Sequence, residues 1–456
     1  MFGALLGLIW VIPYSPALIE AFILTMITSW VTKHVLLFRE SRRQGLDGGS
    51  ALLSSGMEWP LIALGLLIIL TIPISHFPLL SLKKVFSRFL QQICIMYCVA
   101  EIIQSRKRLF SVLGVLTLMV FCVSLYALSQ YVFGHNILEH AFGRVSGPMH
   151  HPNDLGTFLV TLLPVVLALL LTTHSWFSSL FKAPLSERGP LKFWRKGLMG
   201  VVFFVLVSAL GLTSSRGAWV AFAVSMIVLG FYLRRRGVIA FIVTMLVLFF
   251  GVFGMYCLST RIDIYPVPMT QGPAMKPTFT NPWGLPAQYD AFKILLGISG
   301  RELYWDTAIG VIKRYPWFGC GYSAYVQTLK DLQVGHTEYP HNSLLHITAE
   351  LGIVGLCLYL WLFAALCMKA WRTLRAVFAD RGLYVLGCGI SCGLLAWMVH
   401  SLVDTPWSSL QLSILLWLMM GVLLSLNNVV PLYKEGTALK LPQRDIARKG
   451  CSSRED

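Results

Sequence analysis

Residues 106–132 read RKRLFSVLGVLTLMVFCVSLYALSQYV, three basic side chains followed by an apolar run from Leu109 to Val132 that contains no charged residue. A hydrocarbon core about 30 Å thick is crossed by roughly 20 such residues in one helix, so the stretch reads as a membrane span that leaves a basic loop. Comparable apolar segments lie at 2–13, 16–32, 59–77, 87–104, 153–173, 197–213, 217–233, 237–258, 343–367, 383–402 and 408–427. The pattern predicts an all-α polytopic membrane protein with about twelve transmembrane helices. Whether residues 1–32 form one span or two is open at this level, and the start has no basic stretch before its apolar run, which argues against a cleaved signal peptide.

Composition agrees. Of 456 residues, 56% are hydrophobic and 13% charged, about half the roughly 25% charge usual in soluble domains, which excludes an ordinary cytosolic enzyme. Lys plus Arg number 37 against 21 for Asp plus Glu, a net charge of +16. Those charges do not form a nucleic-acid surface, because they fall in short clusters between apolar runs: Lys33/Arg39/Arg42/Arg43, Arg106/Lys107/Arg108, Lys182 to Lys196, Arg234/Arg235/Arg236, Lys369/Arg372/Arg375/Arg381, and a tail from Lys434 to Arg454. If the spans alternate as given, all six face one side, and the positive-inside rule makes that side cytoplasmic together with both termini. Lys83, Lys84 and Arg88 break the pattern and fall on the other side, as an interfacial stretch or a substrate-facing patch. The ten cysteines include no CxxC pair and lie mostly in apolar runs, which speaks against a disulfide framework or a thiolate metal site.

The chain thus divides into helices 1–9 with short loops over residues 1–258, a long loop over 259–342, helices 10–12 over 343–427, and a basic cytoplasmic tail over 428–456. Loops as long as the second of these usually carry function or structure of their own. It begins rich in Pro and Gly and then shows a helical pattern, RELYWDTAIGVIKRY from Arg301, ended by Pro316 and the Gly319-Cys320-Gly321 turn. Leu303, Ala308, Ile309 and Ile312 can share one apolar side, which would lie on the membrane or on the bundle.

The candidates for chemistry gather on the non-cytoplasmic side. Arg216, in LTSSRGAWVAF, stands at the mouth of two spans, where an arginine calls for an anion or a water-filled cavity; Ser214, Ser215 and Gly217 beside it allow close approach. Arg301 opens the loop helix, and its guanidinium can bind phosphate in a bidentate way that lysine cannot copy. His341, between Pro340 and Asn342 at the entry to the tenth span, could take a proton from a hydroxyl. His346 and Glu350, four apart on a helix, can simply pair, and Gly352 and Gly355 suit close helix packing. Arg144, His150, His151 and Asn153 form a further polar group in GRVSGPMHHPNDLG, and Asp404, in HSLVDTPW, could orient a base or an arginine. No metal site is expected, because the adjacent histidines have no carboxylate or cysteine at ligand spacing and the chain has no HExxH and no Asp-x-Asp. Several arginines and a histidine on one face suit a lipid diphosphate better than a neutral solute.

Three stretches, LTSSRGAWVAF (212–222), SGRELYW with RYPWFGCGYSAY (299–325) and YPHNSLLHITAELGIVGL (339–356), together with RVSGPMHHPNDLG, resemble the O-antigen ligase and polymerase family of bacterial membrane glycosyltransferases. The resemblance spans roughly residues 140–405. It implies a GT-C-like bundle of about twelve helices with a long periplasmic loop, in the bacterial inner membrane. It also implies an undecaprenyl-diphosphate-linked glycan as donor, a lipid A-core sugar hydroxyl as acceptor, and no cofactor or metal. By motif, Arg216 and Arg301 match the family's diphosphate-binding arginines and His341 its essential histidine, while Arg144, Asn153, Ser215, Asn342 and Asp404 are expected to bind substrate. A polymerase, or transfer to a protein hydroxyl, would use the same chemistry. A transporter would also accommodate twelve spans, but it should show a midplane site and related halves, whereas the charged candidates here gather at one surface and Glu20 is the only acid well inside an early span.

Overall fold

The computed structural model describes residues 1–43, 55–134, 144–172, 190–234, 236–262 and 301–429, and all regular structure among them is helical. In chain order the helices are α1 (Phe2–Val11), α2 (Pro16–Arg43), α3 (Glu58–Thr71), α4 (Pro78–Ile102), α5 (Arg106–Phe133), α6 (Pro152–Leu171) and α7 (Pro190–Leu212), followed by α8 (Arg216–Leu233), α9 (Arg236–Ile262), α10 (Arg301–Arg314), α11 (Tyr325–Asp331), α12 (Ser343–Ala376), α13 (Arg381–His400) and α14 (Leu410–Val429). Eight of them, α2, α4, α5, α6, α8, α12, α13 and α14, are long and apolar enough to cross a membrane. Shorter apolar helical stretches are Phe2–Val11, Glu58–Thr71, Gly197–Leu212 and Ile242–Gly254. The basic stretch 182–189, residues 135–143, the loop from 263 to 300 and the tail beyond 429 lie outside the described residues.

Local chemistry sets the helix ends. The apolar run expected over 59–77 stops as a helix at Thr71, because Pro73 offers no N–H to continue the ladder. The next helix starts earlier than expected, with Pro78 in its first turn, and passes through a π-helical turn at Val85–Leu90. Lys83, Lys84 and Arg88 are therefore helical. Ser105, Asp380 and Asn342 cap α5, α13 and α12 by accepting N–H bonds from Arg108, Leu383, and Leu344 with Leu345, the usual way of satisfying first-turn donors.

Two helices, α6 and α14, are buried almost all round, whereas α2 is mostly exposed at the edge. Helix α13 packs against both α6 and α8. Gly393 lets α13 come so close to α6 that a Cβ there would collide with the Thr161 carbonyl, the small-residue contact by which membrane helices pack without a hydrophobic drive.

The bundle has two chemically different ends. At one, Lys33, His34 and Trp30 of α2 meet Glu101 of α4, Arg106 of α5 pairs with Asp380, and Asn428 of α14 donates to the Ala100 carbonyl at 3.0 Å. The described members of the basic clusters thus share this end. At the other lie the starts of α6, α8, α12 and α14 and the end of α13.

Over that second end sits a small separate core of Ala308, Val311, Cys320, Ala324, Tyr325 and Leu329. Helix α10 buries Thr307, Ala308, Gly310 and Val311. The apolar side expected from sequence is therefore rotated: Ala308 is inside, but Ile309 is 38% exposed, because the face is chosen by α12, not by an even apolar stripe. The link to the bundle is a broken helix. At Gly352, inside α12, φ is +68°, and a Cβ there would run into the Trp317 carbonyl, as one on Gly319 would run into that of Glu350. The break frees the carbonyls of Ala349 and Glu350, which accept from Cys320 and Gly321 at 2.9 Å each, while Ile353 donates to Pro316 at 2.9 Å. Two chain segments so exchange the hydrogen bonds that the interrupted helix gives up. The helix-packing role expected for Gly352 is replaced by this crossing.

Candidate active site

The site is built around the turn that follows α13. Its carbonyls are taken up one after another by other elements: Ser401 accepts from Ser343 N at 2.8 Å, Leu402 from Asn342 Nδ2 at 3.0 Å and Val403 from Arg301 Nη1 at 2.7 Å. The turn's side chains face two further helices. His400 Nδ1 lies 2.7 Å from the Thr157 hydroxyl of α6, and Gly217 of α8 leaves room only for the His400 ring and Val403. Helices α6, α8, α10 and α12 thus all begin next to one short stretch of chain, and their N-termini carry partial positive charge that favours an anion.

Asp404 ends the turn and is 7% exposed. Its Oδ1 accepts from His341 Nδ1 at 2.9 Å and from the Thr405 N–H at 2.8 Å. Burial alone would raise the carboxyl; the His341 hydrogen bond, the neighbouring His400 and the Thr405 N–H together hold it well below the usual carboxylate range. With Nδ1–H committed to Asp404, Nε2 of His341 is the nitrogen left to act as a base. His341 adopts φ +46°, a left-handed backbone that a non-glycine residue keeps only when its surroundings impose it. Around it stand the rings of Tyr304, at 5.9 Å, and His151, at 6.4 Å.

Arg144 and Arg301 donate to backbone carbonyls. Arg144 Nε donates to the Thr213 carbonyl at the end of α7, at 2.7 Å, and its Nη2 to Asn153 Oδ1 at 2.8 Å. Burial lowers the Arg301 guanidinium from its ordinary value and the charge of Asp404 works against that shift; an arginine stays cationic under any such pull. Half-buried Arg216 is the first residue of α8, after Ser214, at φ +49°, and buried Ser215, whose N–H donates to Thr213 Oγ1 at 3.2 Å. Asn342 caps α12 and so fixes the backbone on which His341 turns.

The structure brings His341 to Asp404 and joins Arg301 and Asn342 to the same turn, with Arg144 and Asn153 linked beside α7. Sequence reading missed His400, Thr157 and Tyr304. His400 was within the quoted HSLVDTPW, but nothing local marks a histidine whose partner is a threonine on a distant helix. Two other polar groups have structural work: His346 Nε2 lies 3.2 Å from Glu350 Oε1, and that carboxylate accepts the N–H groups of Ser323 and Tyr325 at 2.9 and 3.3 Å. Arg88 reaches the Ser408 carbonyl at 3.3 Å, so the basic residues of α4 border this end. Among the described residues, no three His, Cys, Asp or Glu side chains are grouped to hold a metal ion.

Residues 201–360 match the family model described as O-Antigen ligase. Over that stretch the chain is similar to the O-antigen ligase family. The matched stretch contains Ser215, Arg216, Arg301, His341 and Asn342, while Arg144, Asn153 and Asp404 lie outside it. No curated protein matches the chain. Members of the O-antigen ligase family are glycosyltransferase-like enzymes, ligases and polymerases, and the long apolar helices here make this chain a multi-pass membrane protein.

Proposed function

We propose that the protein is an O-antigen ligase-type glycosyltransferase, moving a glycan from undecaprenyl diphosphate to a sugar hydroxyl of the lipid A core. In this reading the four shorter apolar helices complete a twelve-span, GT-C-like bundle in the inner membrane. Residues 1–258 and 343–427 carry the spans, 259–342 form a periplasmic loop, and the tail and the basic end face the cytoplasm.

The observation that carries the reading is the His341–Asp404 pair, held on the turn that also receives Arg301. The acceptor hydroxyl oxygen attacks the donor's anomeric carbon and the new C–O bond forms. The bond from that carbon to the diphosphate oxygen breaks, and its electron pair leaves with undecaprenyl diphosphate. The hydroxyl proton passes to His341 Nε2, and Asp404 stabilises the imidazolium so formed. Arg216 and Arg301 meet the charge growing on the leaving diphosphate, which needs stabilisation and no proton, so the step needs no metal ion. Arg144, Asn153, Ser215 and Asn342 shape the surrounding surface. A single displacement inverts the sugar.

The test is transfer by purified protein from undecaprenyl-diphosphate glycan in EDTA, with lipid A core as acceptor. Product on the core, lost in Arg216→Ala and His341→Ala, supports the ligase. A longer lipid-linked glycan with the core untouched means a polymerase; product on an added protein acceptor alone means transfer to protein.

A further inference from the structure

At the basic end, away from the site, the last turns of α8 and α12 and the first turn of α13 enclose a cavity of about 700 Å³. That volume is in the range of small-molecule sites, roughly 300–1,000 Å³. Its walls are aromatic and aliphatic: Phe231, Trp371, Phe378 and Tyr384 line it, and the first three are 71%, 49% and 68% exposed. Its lining includes two arginines, Arg234 and Arg375, and no acidic residue is among its described members.

Both arginines are arranged for an anion. The Arg375 guanidinium stacks 3.7 Å from the centre of the Trp371 ring, which occupies its flat face and leaves its N–H edge for a planar bidentate acceptor. Asp380, a few residues on, is already taken by Arg106 and by the Leu383 N–H. Arg234 ends α8 at φ +49°, its N–H bonded to the Gly230 carbonyl, a backbone that suits glycine. A long cation at that position carries a conformational cost, and such costs are concentrated where a side chain has a function.

We infer that this cavity binds one anionic phospholipid from the leaflet at the basic end, its phosphate against Arg234 and Arg375 and an acyl chain along Phe231 and Phe378. Charge and depth select this occupant: the cavity lies at the ends of membrane-length helices, where headgroups sit, and it pairs cations with an apolar wall. Basic pockets between spanning helices on the cytoplasmic side are the general form of headgroup recognition. The inference does not depend on the transfer reaction.

The experiment uses the full chain, delipidated in non-ionic detergent, with binding of phosphatidylglycerol and phosphatidylcholine followed by native mass spectrometry and by the shift in melting temperature. The wild type should retain phosphatidylglycerol in preference to phosphatidylcholine. Arg375→Gln and Arg234→Gly should each weaken phosphatidylglycerol about fivefold, from about 1 kcal/mol per basic residue at a membrane surface, and leave phosphatidylcholine unchanged. Arg234→Gly relaxes the left-handed backbone, so its melting temperature without lipid should hold or rise while the lipid-induced rise is lost. Arg43→Gln, at the same end but outside the cavity, should bind like the wild type. Equal binding of the two lipids, an equal loss in Arg43→Gln, or displacement of phosphatidylglycerol by millimolar inorganic phosphate would each overturn the inference.

Discussion

The two ends of this bundle are both rich in arginine, and they hold it in opposite ways. At the basic end the cations are answered by carboxylates or aromatic faces: Arg106 by Asp380, Lys33 by Glu101, Arg42 by Phe38 and Arg375 by Trp371. At the other end Arg144 and Arg301 are fixed by the neutral oxygens of Thr213, Asn153 and Val403, and the buried carboxylate of Asp404 is bonded to His341. Arg301 is oriented by a neutral carbonyl, whereas Arg106 is held by a carboxylate that offsets its charge. Clusters of arginine therefore have to be read through their acceptors.

Substitutions on either side of this contrast should differ in scale. The largest effect is expected from Asp404→Asn, which keeps the shape of the turn but removes the charge that sets the His341 tautomer. Turnover in the transfer assay should fall about 10⁴-fold, as for an orienting aspartate elsewhere. The same variant tests the electrostatics of folding. The folded carboxyl is held below its unfolded value, so its contribution is complete above about pH 4 and is lost as pH falls toward the folded value. Melting temperatures of the wild type should drop below pH 4 more steeply than those of Asp404→Asn.

Next is Arg301→Lys. Lysine can still reach the Val403 carbonyl but lacks the planar fork, and kcat/KM should fall about 10²-fold or more with the melting temperature little changed; full activity in this variant would remove the distinction between the two ends. Gly352→Ala sharpens the comparison from the scaffold side. The left-handed backbone and the Trp317 carbonyl leave no room for a Cβ, and a loss of about 1–3 kcal/mol is expected in detergent unfolding, with phosphatidylglycerol retention at the opposite end preserved. The smallest effect belongs to Arg106→Gln, a partly exposed ion pair for which about 1 kcal/mol or less is expected and transfer activity should stay at the wild-type level.

The helical class was legible from sequence because a membrane imposes a local rule. Each span must be apolar over a set length, so the run Leu109–Val132 is visible without reference to the loop charges beside it. The general side on which Arg216, Arg301 and His341 fall came from counting spans. What escaped was every feature that depends on a partner far along the chain. Gly352 looked like one more small packing residue, because the carbonyl that forbids a side chain there belongs to Trp317. Ile309 was expected to share one apolar side with Ala308, but the buried face of α10 is chosen by α12.

Sequence by itself determined that this is a membrane-embedded helical protein with a charged site at the end opposite its basic loops, since hydropathy and charge are written residue by residue. Only tertiary structure decided that the turn after α13 is the common support of His341, Arg301 and Asn342, and that Asp404, 63 residues beyond His341, is its partner. The physical reason is that a hydrogen bond has directed geometry within about 3 Å, and no periodicity in one segment encodes where a second segment will present its acceptor.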